Sequence, residues 1–285
     1  MIALRSWALA SAVLASACAV DNVTLSTQAI VGGEKSGPSE FLATGMLTAR
    51  GQLVCTATLI APDVALTAAH CLREPAFGSF GFTLDTDESD GTQGVVPVMM
   101  FHQHPDFNDG VDEFVDLSAR NDVGVIILEQ PILDVVPEEL DKAAYDTPLA
   151  PGSELALCGY GRPDWYIGTA ALKRDAKVII DRTDYFEFST MADGPQPCNG
   201  DSGAPLLVDT PNGRRLVGIV SRAMGRSMMC DTGAIVTRIS QYAAWIAKAS
   251  KDRDRGLCST GGGSSFAPLV VVALLLRRRR RTASV

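Results

Sequence analysis

Positive charge is scarce in the body of this chain. Residues 30 to 250 hold 16 Lys and Arg against 30 Asp and Glu, a net charge of −14. A surface that acidic repels nucleic acid phosphates and anionic lipid, whose binding depends on clustered cations replacing counterions. A nucleic-acid role is excluded. Histidine is scarcer still, with three in 285 residues, so few groups are available as a general base at neutral pH. There is no internal repeat of fixed period, and Gly261 to Ser265 is the only low-complexity stretch, which argues against a solenoid. The apolar run from Phe266 to Leu276 has 11 residues, well short of the roughly 20 that span a bilayer as a helix.

What is present fits an exported globular protein. A 46% hydrophobic content over 285 residues can fill one large domain or two small ones. Arg5, the apolar run Trp7 to Leu14 and the small residues Ala15 to Ala19 read as a secretory leader over residues 1–19. Ala15-Ser16-Ala17-Cys18 also has the form of a lipoprotein processing site with Cys18 lipidated; ordinary cleavage after Ala19 is the preferred reading. Export permits disulfides, and five of the seven cysteines lie in the body, at 55, 71, 158, 198 and 230, so at least one lacks a partner among them.

From Ile30 to about Val236 the chain runs in short apolar stretches, such as Leu59 to Ala61, Val123 to Leu128, Lys177 to Ile180 and Leu216 to Val220, separated by Gly, Pro, Asp and Asn. Short strands with turn signals between them predict an all-β barrel or sandwich. One helix is expected, over Ser240 to Ser250, where Tyr242, Trp245, Ile246 and Ala249 recur at helical spacing. Residues 251–265 read as a linker, and residues 266–285 as a hydrophobic segment closed by Arg277 to Arg281.

Three short motifs carry chemistry. Leu66-Thr67-Ala68-Ala69-His70-Cys71 puts a histidine after an apolar stretch and beside a cysteine; His102 and His104, close to Pro105, read as partly exposed structural residues. Asn121-Asp122-Val123-Gly124-Val125-Ile126 places a carboxylate at the mouth of a buried strand, where it needs a partner such as an imidazole N–H. Gly200-Asp201-Ser202-Gly203 offers a hydroxyl between glycines that let the backbone turn sharply. Each motif alone is weak.

Taken together, and with Ile30-Val31-Gly32-Gly33 upstream, they resemble the chymotrypsin/trypsin family of serine peptidases in content, order and approximate spacing. Gly159-Tyr160-Gly161, His104-Pro105 and Thr237-Arg238-Ile239 extend the resemblance to about Ser250. It implies two six-stranded antiparallel β-barrels with a C-terminal helix, a peptidase domain over residues 30–250 and a propeptide over 20–29. By the same resemblance, Ser202 is the nucleophile, His70 the general base and Asp122 its orienting carboxylate. Gly200 and Ser202 supply the oxyanion-hole N–H groups, and a new ammonium at Ile30 pairs with Asp201 after cleavage. Cys55 pairs with Cys71 and Cys198 with Cys230, leaving Cys158 as a buried free thiol.

Several details depart from the family pattern. No Arg or Lys precedes Ile30, which argues against activation by a trypsin-like enzyme and for a small-residue-preferring peptidase or a self-cut. The pocket floor falls on Gln196 rather than Asp. The wall Ser221-Arg222-Ala223 replaces an aromatic residue by Arg222 and narrows the pocket at Ala223. Small or medium uncharged side chains are therefore the expected substrates. Asp85, Asp87, Glu88 and Asp90 lie where some relatives bind calcium, but a solvated acidic loop is the preferred reading; no organic cofactor and no other metal is implied. The tail, with Cys258 before Gly/Ser, apolar and Arg-rich stretches, resembles the C-terminal sorting signals of exported myxobacterial proteins. The expected partners are a protein or peptide substrate and an activating protease, and the expected location is secreted or anchored at the cell surface. The competing readings are a catalytically silent binding protein on the same fold, and an esterase using the same triad. The second is disfavoured because α/β-hydrolases order their triad Ser, acid, His.

Overall fold

A computed structural model describes residues 30–37, 39–73, 79–109, 117–142, 149–162, 171–225 and 230–253. The expected leader, propeptide, linker beyond Arg253 and C-terminal tail lie outside the described residues. By its internal contacts the chain divides after Arg253, and every described residue belongs to the first unit.

Twelve of the strands close into two antiparallel barrels. The first is built from β2 (Thr44–Ala49), β3 (Gln52–Ala61), β4 (Val64–Thr67), β5 (Phe80–Thr83), β6 (Val96–Gln103) and β7 (Gly124–Leu128), joined in the ring order β2-β3-β4-β7-β6-β5. The second contains β8 (Glu154–Gly159), β9 (Arg174–Thr183), β10 (Glu187–Thr190), β11 (Pro205–Thr210), β12 (Gly213–Ala223) and β13 (Ala234–Arg238). Its order is β8-β9-β10-β13-β12-β11, with β11 returning to β8; the two-residue strand β1 (Glu34–Lys35) adds to β9. Closure pairs the edge strands that an open sheet would leave exposed. The two barrels anticipated from the family resemblance are the ones that form.

Strand alternation explains why the sequence showed unbroken apolar runs rather than a clean in/out pattern. In β4 and β7, Ala65 and Ile126 join the interior of the first barrel, with Leu47, Leu59 and Phe82. Their neighbours Val64, Leu66, Val125 and Ile127 face a different core, shared with Leu207, Leu216 and Ile219 of the second barrel. Both faces are dry, so both need apolar residues. The β2–β3 hairpin turns at Arg50 and Gly51, with φ of 55° and 74°, the pair of left-handed residues that a tight hairpin favours.

The terminal helix is shorter than the periodicity predicts. Ile239–Gln241 form a 3-10 turn and the α-helix α1 runs Ala243–Ala249, the break falling at Tyr242 with φ −108° and ψ 1°. The face is the expected one: Tyr242, Ile246 and Ala249 are buried in the core between the barrels. His104 packs its ring 5.2 Å from Tyr242 and 4.9 Å from Trp245, a structural role.

Candidate active site

His70 sits on a 3-10 turn, Ala69–Leu72, directly after β4. Its neighbour Cys71 is bonded to Cys55 of β3, so the turn is tied to the barrel wall on both sides. Asp122 precedes β7 and is fully buried. Its carboxylate grips this turn twice: Oδ1 accepts the His70 backbone N–H at 2.9 Å and Oδ2 accepts His70 Nδ1–H at 2.8 Å. Ser221 Oγ donates to the same Oδ2 at 2.6 Å. Burial pushes the Asp122 carboxyl up, but the facing imidazole and these hydrogen bonds outweigh it and hold the group below its ordinary value. With Nδ1 committed to the carboxylate, the proton-accepting lone pair of a neutral imidazole is on Nε2.

Ser202 lies on the loop between Cys198, bonded to Cys230, and β11. Gly200 and Gly203 have φ of 98° and 79°, so the turn needs residues that tolerate the left-handed region. Space decides as well at Gly203, where a Cβ would come within 2.2 Å of Thr67 Oγ1 and 2.4 Å of the Thr56 carbonyl oxygen. Thr56 clamps the loop from the first barrel: its N–H donates to the Ser202 carbonyl at 2.9 Å and its hydroxyl to the Gly200 carbonyl at 2.9 Å. The Asn199 carbonyl accepts the Arg162 N–H at 2.6 Å, which turns the N–H of the same trans peptide, that of Gly200, the opposite way.

Asp201, between the two glycine turns, points inward and is fully buried. Its carboxylate accepts N–H groups from Gly161 at 2.6 Å and Cys198 at 2.8 Å, and from Ile30 and Tyr160. Burial dominates over these amides and raises the carboxyl to about 7. The Gly159-Tyr160-Gly161 motif has its reason here: a Cβ at either glycine would lie 2.1 Å from an Asp201 carboxylate oxygen. Ile30 is itself buried, at φ 44°.

A cleft of about 450 Å³ lies between the barrels and is lined by His70, Gly200, Ser202, Val220, Arg222 and Ala223, among others. His70 and Ser202 share this cleft without a hydrogen bond to each other among the described residues. Of the expected pocket residues, Arg222 and Ala223 line the cleft. Ser221 instead turns to Asp122. Gln196 is buried, and its amide donates to the Met191 carbonyl at 2.6 Å; Pro197 and Cys198 line the cleft in its place. Both expected disulfides are present, and Cys158 is a buried free thiol.

Cys55, His70 and Cys71 converge, but the two sulfurs are bonded to each other and neither is a thiolate. In the acidic loop, Asp85 is spent on Thr83 Oγ1 and the Gln93 N–H, Asp87 on Ser89, and Glu88 on Arg162 and the N–H groups of Leu53 and Ala171.

Two closed antiparallel β-barrels with a histidine, a carboxylate and a serine brought together at their junction define a chymotrypsin-like peptidase architecture. The Trypsin family profile matches residues 30–246, and the chain belongs to that family. It is 30% identical over 231 residues to a trypsin of Saccharopolyspora erythraea, covering 75% of this chain and 94% of that one. It is 26% identical over 251 residues to transmembrane protease serine 9 of Rattus norvegicus, covering 81% of this chain but 23% of that much longer relative. Among solved structures, neuropsin, a serine protease of mouse brain, superposes with a TM-score of 0.62 at 23% identity, over 76% of this chain and 97% of that one; this likeness speaks to the fold.

Proposed function

We propose that the chain is an exported serine endopeptidase, made as a zymogen and activated by cleavage between Ala29 and Ile30. The observation that carries the reading is the double grip of Asp122 on His70 at the edge of a cleft that Ser202 and Gly200 also line. In this reading Ser202 Oγ attacks the scissile carbonyl carbon while His70 Nε2 takes its proton. Asp122 keeps the imidazole in the right tautomer and stabilises the imidazolium. The carbonyl oxygen, gaining negative charge, is met by the N–H groups of Gly200 and Ser202, a pair in which each donor is worth about 3 kcal/mol to the transition state. His70 then returns the proton to the leaving amine, and water hydrolyses the acyl-enzyme by the same steps in reverse.

Activation has a physical basis in the same site. An isolated buried carboxylate is costly, and four amide N–H groups leave Asp201 largely protonated below about 7. Freeing the Ile30 amine places a full positive charge where the Ile30 N–H now bonds, which ionises Asp201 and fixes the turn that aims the Gly200 and Ser202 N–H groups. The cleft wall at Arg222 and Ala223, with no acidic residue among the described residues that line it, supports small or medium uncharged side chains as the preferred substrate residues. The leader and tail read in the sequence support export and surface attachment.

The test is covalent labelling. Protein cut to begin at Ile30 is expected to react with a fluorophosphonate probe, and the Ser202→Ala variant to stay unlabelled. Absence of labelling despite a confirmed Ile30 terminus would refute the reading.

A further inference from the structure

Glu187, at the start of β10, is 1% exposed, and Arg222, near the end of β12, is 7% exposed. The two form a bidentate pair, Nη1 to Oε1 at 2.9 Å and Nη2 to Oε2 at 3.0 Å. The pair reaches Asp122 by two routes. In the first, Arg222 Nη1 also donates to Ser221 Oγ at 3.3 Å. A hydroxyl has one proton, and with a lone pair of Ser221 facing the guanidinium, that proton is directed away from it, toward Asp122 Oδ2 at 2.6 Å.

In the second route, the Glu187 carboxylate accepts the backbone N–H of Ser118 at 2.9 Å and of Arg120 at 3.3 Å. These amides bracket Ala119, whose φ is 33°, and Asn121 follows with φ 55°. Two left-handed non-glycine residues in the four before Asp122 make a strained approach that the surroundings must hold in place.

We propose that the buried Arg222–Glu187 pair is a positioning device for Asp122, aiming the Ser221 proton at its carboxylate and holding the strained segment that delivers it. The inference rests on the endopeptidase reading above. It also accounts for an arginine in the cleft wall: its charge is spent inward, on Glu187, and the side chain takes no part in the chemistry itself.

The test is the inactivation kinetics of Ile30-started protein with a fluorophosphonate, resolved into kinact and KI. Glu187→Gln with Arg222→Met replaces the pair by an uncharged one of similar volume, a change that buried ion pairs often tolerate in stability. We expect kinact to fall by roughly 10- to 100-fold, the cost of a slightly misplaced catalytic group, separately from any change in KI that the new side chain in the cleft wall brings. In a Ser221→Ala background the same pair of changes is expected to cost much less, because part of its effect passes through the missing hydroxyl. If the double variant fails to fold, Arg222→Lys, which keeps a cation beside Glu187 but loses the planar fork that donates to Ser221 Oγ and, at 3.3 Å, to Ser118 Oγ, gives the same readout. An unchanged kinact, or losses that multiply fully across the Ser221→Ala background, would overturn the proposal. Failure of the unmutated protein to label overturns the endopeptidase reading and this inference together, whereas labelling with independent losses overturns this inference alone.

Discussion

The uncut chain is predicted to lose stability as pH rises from about 4 to about 7, and Asp201 is the cause. Its carboxyl moves from an ordinary value of 3.8 to about 7 in the folded state, chiefly through burial. Below the ordinary value both folded and unfolded chains hold the proton, and this group contributes no slope. Between the two values the unfolded chain releases the proton while the folded chain keeps it, so each pH unit favours unfolding. Above about 7 both states are ionised and the slope ends. At 1.36 kcal/mol per unit the interval is worth about 4 kcal/mol, an upper figure because the amides can shift to meet the charge. The assay is chemical denaturation of uncut Ser202→Ala protein, which cannot cut itself, across pH 4 to 8, compared with the same protein carrying Asp201→Asn. The asparagine adds a constant offset but does not titrate, so the difference between the two curves isolates Asp201 from every other group. In protein cut to begin at Ile30 the ammonium meets the carboxylate, and the decline should vanish. Parallel curves for the uncut pair would refute the argument, because they would mean that Asp201 titrates alike in the folded and unfolded chains.

Three further outcomes are expected. Asp122→Asn should lower the rate of fluorophosphonate labelling by about 10⁴, the cost of that change in the Ser-His-Asp template of this family, while denaturation still shows a folded protein. Gly203→Ala should destabilise by more than about 2 kcal/mol, since it combines a left-handed φ with a Cβ inside 2.5 Å of two oxygens; a denaturation midpoint equal to that of the unmutated protein would count against the loop geometry. Cys158, whose thiol burial pushes to about 12, should resist alkylation at pH 8 in native protein and react at once in denaturant, as mass spectrometry of the two samples would show.

How much of this was legible in the sequence divides along one physical line. His70, Asp122 and Ser202 each sit in a short motif whose neighbours have local jobs, a disulfide, a buried strand and two glycine turns, so the motif could be read without knowing the fold. The strands were legible for a similar reason, since a strand with two dry faces writes itself as a continuous apolar run, whereas their closure into two barrels was implied by the family resemblance alone. Gly159 and Gly161 were visible as a motif, but their reason was not: the space a Cβ would take belongs to the carboxylate of Asp201, 40 residues further on in the hydrogen bond from Gly161. The helix start was misplaced by three residues because periodicity cannot tell a 3-10 turn from the first turn of an α-helix when both bury the same face. Gln196 was read as a pocket floor, yet nothing local reveals that its amide turns back on its own loop.

Glu187 marks the far end of this line. It lies 35 residues from Arg222 and 67 from Arg120, and no pattern around Phe186-Glu187-Phe188 distinguishes it from an ordinary strand-end acid. The one available signal was indirect: an arginine where the family commonly places an aromatic wall must either present its charge to substrate or bury it against an acid. A buried guanidinium without a partner would cost several kcal/mol, so the substitution by itself requires a carboxylate somewhere nearby, but only strand pairing selects which of the chain's 33 acidic residues it is. Because β10 and β12 both pair with β13, Glu187 opposite Thr237 and Arg222 opposite Ile235, the acid and the arginine come to one patch of the sheet two residues apart in register, a gap that their long side chains close. Local motifs therefore assign the reacting groups, while the groups that hold them are assigned by topology. If the Arg222–Glu187 inference holds, the rate of the reaction depends on both.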